Sequence, residues 1–417
     1  MKKNIAVIML AAGKSTRMKS DMPKVLHPIC GRPMIGYVLD LVGSLKADKI
    51  VAVLGHKHQE VNKSLGAGVR VVIQKRLLGT GDAVKVALPL LNNFKGTVLV
   101  LYADNPLLKK ETINKLLKYH MENGSDATLL TAVLEKPSGY GRILRDKSFN
   151  IRGIIEEKDA DDVQKDIKEI NTGIICFDKG KLEKALKGLR PDNRKKEYYL
   201  TDTIEIIYKD GGLVDAVKIE DIQEALGINS RAELSTANSV MQKRINEGLM
   251  LQGITIVDPR STFISYGVKI GRDSTIYPFT VIESDVKIGK RSAIGPFAHL
   301  RKDTELGDEV VIGNFIEAVR SKLGSKTWAR HFSYLGDARI GRNVNIGAGT
   351  VTANFDGKNK NKTIIKDRAF IGSDTVLVAP VKVGRSAVTG AGSAVVKDVA
   401  DKSVVVGVPA RIIKKCR

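Results

Sequence analysis

Two patterns in the 417-residue sequence predict the fold class, an α/β domain on a mostly parallel sheet followed by a parallel β-helix. Over residues 1–227 short apolar runs alternate with amphipathic stretches, the pattern of strands and helices that stack on such a sheet. Ile264, Ile270, Ile276, Ile282, Ile288, Ile294, Leu300, Leu306 and Ile312 then repeat every six residues. A helix buries every third or fourth residue and a plain strand every second, so this period fits neither. It fits a solenoid in which each six-residue strand-plus-turn makes one flat side and three sides make a coil.

In chain order, strands are expected at 4–10, 49–55, 69–74, 97–103, 127–134, 172–177 and 213–219, and helices at 34–46, 80–91, 111–122, 179–188 and 201–209. Met1-Lys2-Lys3-Asn4-Ile5 opens like a signal peptide, but its apolar run ends at Ala11-Ala12-Gly13-Lys14, so it reads as a first strand. Leu234, Ala237, Met241, Ile245 and Leu249 form one stripe of a helix over 231–250, which Asp258-Pro259 follows and breaks. The expected domains are 1–230, a linking helix 231–250, and the repeat region 251–417. A second in-phase run is Ile365, Ile371, Leu377, Val383, Thr389 and Val395, with Ile340, Ile346 and Thr352 between the two runs. Gly often follows the buried aliphatic, as at Gly271, Gly289, Gly313 and Gly347, where a corner would need backbone freedom. A solenoid caps itself poorly, so association is expected.

Composition narrows the function. Lys and Arg number 68 against 46 Asp and Glu, a net charge of +22, and residues 251–417 hold 27 and 15 of these. The excess is spread over both halves and suits anionic small molecules or nucleic acid. Aromatics at 5% and the absence of a recognition motif argue against nucleic acid. No apolar run reaches the ~20 residues that a bilayer needs, so no membrane partner is expected. Cys30, Cys176 and Cys416 lack metal-ligand spacing and read as reduced thiols of a cytoplasmic protein.

The first strand runs into Leu10-Ala11-Ala12-Gly13-Lys14-Ser15-Thr16-Arg17-Met18, with Pro23-Lys24-Val25-Leu26 beyond. A strand, a small-residue loop and nearby cations make a phosphate cradle. The spacing is that of neither a Walker loop nor a dinucleotide fingerprint. Together with Gly79-Thr80-Gly81, Tyr102-Ala103-Asp104, Gly139-Tyr140-Gly141-Arg142-Ile143, Glu169-Ile170-Asn171-Thr172-Gly173 and Tyr198-Tyr199-Leu200-Thr201-Asp202, this run resembles the sugar-1-phosphate nucleotidyltransferases. Joined to the hexad solenoid, the sequence resembles the bifunctional N-acetylglucosamine-1-phosphate uridylyltransferase/glucosamine-1-phosphate N-acetyltransferase family over nearly its whole length.

That resemblance implies a Rossmann-like first domain and a left-handed β-helix. It implies UTP, acetyl-CoA and sugar phosphates as substrates, Mg²⁺ as cofactor and a homotrimer. Leu10, Ala11, Ala12, Gly13, Gln74, Gly79, Thr80, Gly81 and Tyr102 would bind the nucleotide. Arg17 would grip the departing phosphates and Lys24 would neutralise phosphate charge, both as catalytic groups. Asp104 and Asn229 would hold Mg²⁺, with Asn229 also near the sugar. Gly141, Glu156, Asn171 and Thr201 would form the sugar pocket. Gln74 would read uracil with an amide able to meet both a donor and an acceptor. Ala103 stands where the family has Gly, placing a methyl near the nucleotide.

In the second domain the hexad phase breaks between Ile312 and Ile340 and again between Ile346 and Ile365. Insertions in a solenoid leave the core as loops, often on the binding face, which makes His331 and Tyr334 in the first break and Asn354 and Lys360 in the second site candidates. By resemblance His331 is the base that frees the amine for attack on the thioester. By the same resemblance Arg301 and Lys360 would bind the sugar phosphate, Tyr334 and Asn354 would touch substrate, and Ser373 would lie near the thioester. Four features depart from the family, one of them a solenoid shorter by a coil or more near its start. Val319 replaces a phosphate-binding Lys, Thr327-Trp328 replaces Ser-Lys, and the tail Gly407-Val408-Pro409-Ala410-Arg411 resembles that of other hexapeptide acyltransferases. Arg320 follows Val319, and adjacent strand residues are expected to face opposite ways. The alternatives are a uridylyltransferase whose β-helix has lost or changed its acyl transfer, and a regulatory scaffold on the same two domains.

Overall fold

The computed structural model describes residues 4–14 and 16–415, so Ser15, Cys416, Arg417 and the start Met1-Lys2-Lys3 lie outside the described residues. The chain divides into two compact units between Val240 and Met241.

The first unit is built on a nine-stranded sheet. Its strands are β1 (Ile5–Ala11), β2 (Lys49–Leu54), β3 (Arg70–Ile73), β4 (Thr97–Tyr102), β5 (Ala127–Val133), β6 (Arg142–Arg145), β7 (Ile151–Ile155), β8 (Glu169–Asp178) and β9 (Val214–Lys218). The order is β9-β5-β8-β4-β1-β2-β3, with the β6–β7 hairpin attached to β8. β8 runs antiparallel to β4 and β5, and the other neighbours in that order are parallel. From β1 the chain moves outward through β2 and β3 and returns to β4 on the other side of β1. The carboxyl ends of β1 and β4 thus flank a topological switch point, where open α/β sheets bind ligands. Val7, Ile8, Met9, Leu99, Val100 and Leu101 are fully buried, as continuous apolar runs in a covered parallel sheet should be. Ala103 is buried in the apolar cluster under the sheet, so its methyl does not line the cavity at the carboxyl ends of β1 and β4.

Helix α1 (Arg231–Met250) starts in the first unit, where Leu234 and Ala237 are buried and Asn238 Oδ1 accepts from the Cys30 amide at 2.9 Å. Its last turns belong to the second unit. There Leu249 joins the apolar core of the first coil, and Asn246, fully buried, donates to the carbonyls of Pro259 and Thr262 at 2.9 and 3.1 Å.

The second unit is a left-handed parallel β-helix whose short strands stack into three sheets of ten, eight and seven strands. Most strands are two residues long, and each pairs in parallel with the strand one coil on, as Ile264↔Ile282, Ile276↔Ile294 and Ile288↔Leu306 show. The hexad aliphatics form its core. Thr389, the polar member, is satisfied by the Gly372 amide at 3.0 Å and by Thr375 Oγ1 at 3.0 Å. The tail turns back as Arg411–Lys415, antiparallel to Ser403–Val406.

Two expectations about this unit are corrected. Of the glycines that follow a buried aliphatic, Gly295 has φ +93° as expected, but Gly271, Gly289, Gly313 and Gly347 are not at positive φ, and left-handed corners are also taken by non-glycine residues such as Asp273, Phe279, Asp285 and Phe297. Those four glycines answer to close stacking instead. A Cβ on Gly271 would sit 2.6 Å from the Lys290 amide nitrogen, and one on Gly347 would sit 2.5 Å from that of Ser373. The first phase break is also not an insertion. The register Leu300↔Ala318↔Leu335 and Leu306↔Leu323↔Ile340 shows two sides shortened to five residues, at Ala318–Leu323 and Leu335–Ile340. The second break is a true insertion, in which residues 354–362 leave the coil as a loop closed by the Phe355↔Lys360 bridge.

Candidate functional site

In the first unit, a cavity of ≈ 350 Å³ opens at the switch point. Leu10, Ala11, Ala12, Gly13, Lys14, Lys24, Gln74, Gly79, Thr80, Tyr102 and Asp104 line it. Close packing fixes the Gly79-Thr80-Gly81 turn. Gly79 has φ +113°, and a Cβ there would meet the Tyr198 amide nitrogen at 2.8 Å. The Gly81 amide donates to the Tyr198 carbonyl at 2.8 Å, and the Leu200 amide to Thr80 Oγ1 at 3.0 Å. The Tyr198–Thr201 motif thus braces the Gly79–Gly81 turn, and Gly81 supports the cavity from behind without lining it.

Gln74 is buried, and its amide nitrogen donates to the Gly79 carbonyl at 3.0 Å and to Asp82 Oδ2 at 2.8 Å. Both its N–H groups are engaged, so only Oε1 remains for a base. The expected two-way pairing is corrected to acceptance alone.

Lys24 Nζ pairs with Asp104 Oδ2 and donates to Asn229 Oδ1 at 2.9 Å. The Ile228 amide donates to the Asp104 carbonyl at 3.0 Å, tying the Gly227–Asn229 turn to the end of β4. The Asn229 amide nitrogens are also committed, the side chain to the Gly227 carbonyl at 3.3 Å and the backbone to Glu233 Oε2 at 2.6 Å. These bonds turn Oδ1 toward Asp104. The two oxygens face one cation position, a donor set that fits Mg²⁺, which takes few protein ligands beside water and phosphate. Arg17 lies exposed on a single 3₁₀ turn, Thr16–Met18, beyond the cavity lining.

Tyr102 joins this cavity to the residues expected to seat a sugar. Its hydroxyl bonds Thr80, and its ring fills the space over Gly173, where a Cβ would meet it at 2.7 Å. Beyond it the Gly141 carbonyl accepts from the Asn171 amide at 2.9 Å, and Glu156 Oε1 from Thr201 Oγ1 at 3.1 Å. A Cβ on Gly141 would lie 3.6 Å from the Glu156 carboxyl carbon, so all four expected sugar residues converge. Burial raises the pKa of Glu156 and, with the Glu156, Glu205 and Asp159 charges, pushes Asp202 up to about 6. Sequence reasoning missed Arg142. Its guanidinium is fully buried, pairs with Glu157 at 2.7 Å and donates to the carbonyls of Tyr140 and Lys165, fixing the loops that carry Gly141 and Glu156. Its side chain is charged and sits in a β-hairpin the apolar pattern did not reveal.

In the second unit, Arg301 donates to Glu317 at 2.8 Å, and Tyr334 follows Glu317 one coil on. The shortened side puts Arg320 at a corner with φ +49°, ending strand alternation there. Its guanidinium pairs with Asp337 through two 2.7 Å bonds, and Asn354 donates to the same carboxylate. The hydrogen bonds from Arg320 and Asn354, with the charges of Arg320 and Lys360, hold the Asp337 carboxyl below its usual range. Arg320 therefore joins the group that Val319, buried, cannot. The expectation that it faces away is corrected. His331 and Ser373 are exposed outside this group of contacts. They share one corner two coils apart, since the Gly349 amide bonds the Phe332 carbonyl at 2.7 Å and the Asp374 amide bonds that of Ala348 at 2.6 Å.

Residues 7–151 match the MobA-like NTP transferase domain family, 267–302 the bacterial transferase hexapeptide family, and 362–397 the hexapeptide repeat of succinyl-transferase. Bifunctional protein GlmU of Geobacillus thermodenitrificans is 42% identical over 440 aligned positions, covering 98% of this chain and 96% of the relative. That of Thermosipho africanus is 44% identical over 442 positions with the same coverage, and that of Shouchella clausii 42% over 430, covering 95% of each chain. With likeness of this depth along both units, the chain belongs to the family of bifunctional GlmU proteins.

Proposed function

We infer that two separate groups of side chains run the two transfers of the family. The enzyme acetylates glucosamine-1-phosphate with acetyl-CoA and transfers UMP from UTP to N-acetylglucosamine-1-phosphate, releasing pyrophosphate. The observation that carries the uridylyl assignment is the convergence of Asp104 and Asn229 on one cation position, in a cavity walled by the Leu10–Gly13 loop.

The sugar-phosphate oxygen is already an anion, so the first unit needs no general base. It must bring two anions together, align them and offset their charge. The residue 10–13 backbone and Lys24 take the triphosphate, Gln74 Oε1 accepts from the uracil N3–H, and Arg17 reaches the departing pyrophosphate. Asp104 and Asn229 hold Mg²⁺, which offsets phosphate charge when bound. Gly141, Glu156, Asn171 and Thr201 seat the sugar.

For acetyl transfer, His331 takes the proton from the amine. Arg301, Arg320 and Lys360 surround Tyr334 and Asn354 as the phosphate seat, and Ser373 lies on the coenzyme side. The β-helix assembles as a trimer. A stacked ladder of exposed rings supports association, with Phe279, Phe297 and Phe315 centred 5.0 and 5.1 Å apart. Among the described residues no helix is long and apolar enough to cross a membrane, and we place the enzyme in the cytoplasm with its small-molecule substrates.

The test is a product assay with glucosamine-1-phosphate, acetyl-CoA, UTP and Mg²⁺, omitting each in turn. His331→Ala should remove most CoA release and leave pyrophosphate release unchanged. If wild-type chain releases no CoA at millimolar substrate, the acetyl assignment fails and the uridylyl one stands.

A further inference from the structure

We propose that Lys24 serves as the resident cation of the metal-ligand pair, holding Asp104 and Asn229 in place and yielding that position when a nucleotide draws it onto the phosphates. The inference rests on the reading of Asp104 and Asn229 as metal ligands. Lys24 Nζ contacts both oxygens, and the side chains of Lys24 and Asp104 are only 14% and 16% exposed. A carboxylate so far removed from water needs a counter-charge, and the ammonium supplies it. The backbone of the pair and the Asn229 side-chain nitrogen are placed without it, through Glu233, the Ile228 amide and the Gly227 carbonyl, while Lys24 holds the two side-chain oxygens. An ammonium and a divalent cation repel each other and cannot share two oxygens, so metal entry requires Lys24 to leave. Its stem has four rotatable carbons, and it lines the same cavity as the residue 10–14 loop. A triphosphate seated there offers it a second anion. Nucleotide and metal must then bind with positive coupling, and by linkage each tightens the other by the same factor.

The experiment is a Mn²⁺ titration of the full chain, read by electron paramagnetic resonance without nucleotide. Lys24→Met should bind Mn²⁺ about 10-fold or more tightly than wild type, within the usual range of coupling factors. Lys24→Arg, which keeps the charge, should bind as weakly as wild type, an ordering that a general loosening of the fold would not produce. If Lys24→Met binds no more tightly than wild type while Asp104→Asn in that background abolishes binding, the inference about Lys24 is overturned and the ligand assignment stands. Should Asp104→Asn leave Mn²⁺ affinity unchanged in the Lys24→Met background, the ligand assignment itself fails.

Discussion

At the scale of single residues, the site depends on which atoms are already engaged. Asp104 is the charged member of the proposed metal position, so Asp104→Asn should lower uridylyl transfer by at least about 100-fold, as losing an anionic ligand there would weaken the ion and leave phosphate charge unbalanced. Acetyl transfer should be unaffected, and parallel assays of pyrophosphate and CoA release check both. Gln74 offers only a carbonyl oxygen, because its nitrogen is held by Gly79 and Asp82. Uracil has an N–H at position 3 and cytosine does not, so Gln74 should favour UTP. Gln74→Ala should narrow the UTP/CTP ratio of kcat/KM by about 10- to 100-fold, the worth of one buried hydrogen bond to a base edge. An unchanged ratio would remove Gln74 from base reading.

At the scale of elements, the β-helix trades side chains for close coils. Gly347 donates to the Ile371 carbonyl at 2.9 Å, and an added methyl would collide with Ser373. Gly347→Ala should therefore cost about 1–3 kcal/mol of stability. Gly248, on α1 with open space around its Cα, is the opposite case, and Gly248→Ala should stabilise by about 0.5–1 kcal/mol. Thermal denaturation of the two variants should shift in opposite directions. The phase breaks show how far pattern reading reaches. A slip in period marks a change in the coil but does not say whether residues were added or removed. At Arg320 two were removed over two sides, and a positive-φ corner redirected the guanidinium, a backbone state the residue type does not announce.

At the scale of the whole molecule, the two units carry separate chemistries, so the first should work alone if cut in the right place. The boundary expected at residue 230 would remove Glu233, which holds the Asn229 backbone, and Asn238, which caps the Cys30 amide. A fragment 1–240 should keep UTP-dependent activity and be monomeric, a fragment 1–230 should bind Mg²⁺ more weakly, and the full chain should be trimeric. Light scattering with pyrophosphate assays decides this. A monomeric full chain at micromolar concentration would contradict assembly through the β-helix.

Composition and period alone determined that this chain has a parallel-sheet domain and a hexad solenoid. Both follow from which positions must be apolar, and burial writes that directly into sequence. The small-residue loop and Lys24 were legible as a phosphate cradle from their residue types, whereas Asp104 and the motifs expected at the sugar were legible only through resemblance to the family. Only the tertiary structure decided how they are shared. Lys24 bridges Asp104 and Asn229, and Tyr198 braces Gly79. Arg142 locks the loops that carry Gly141 and Glu156, and Arg320 turns to Asp337. Each depends on partners far apart in the chain or on a corner conformation, and such contacts leave no periodic trace.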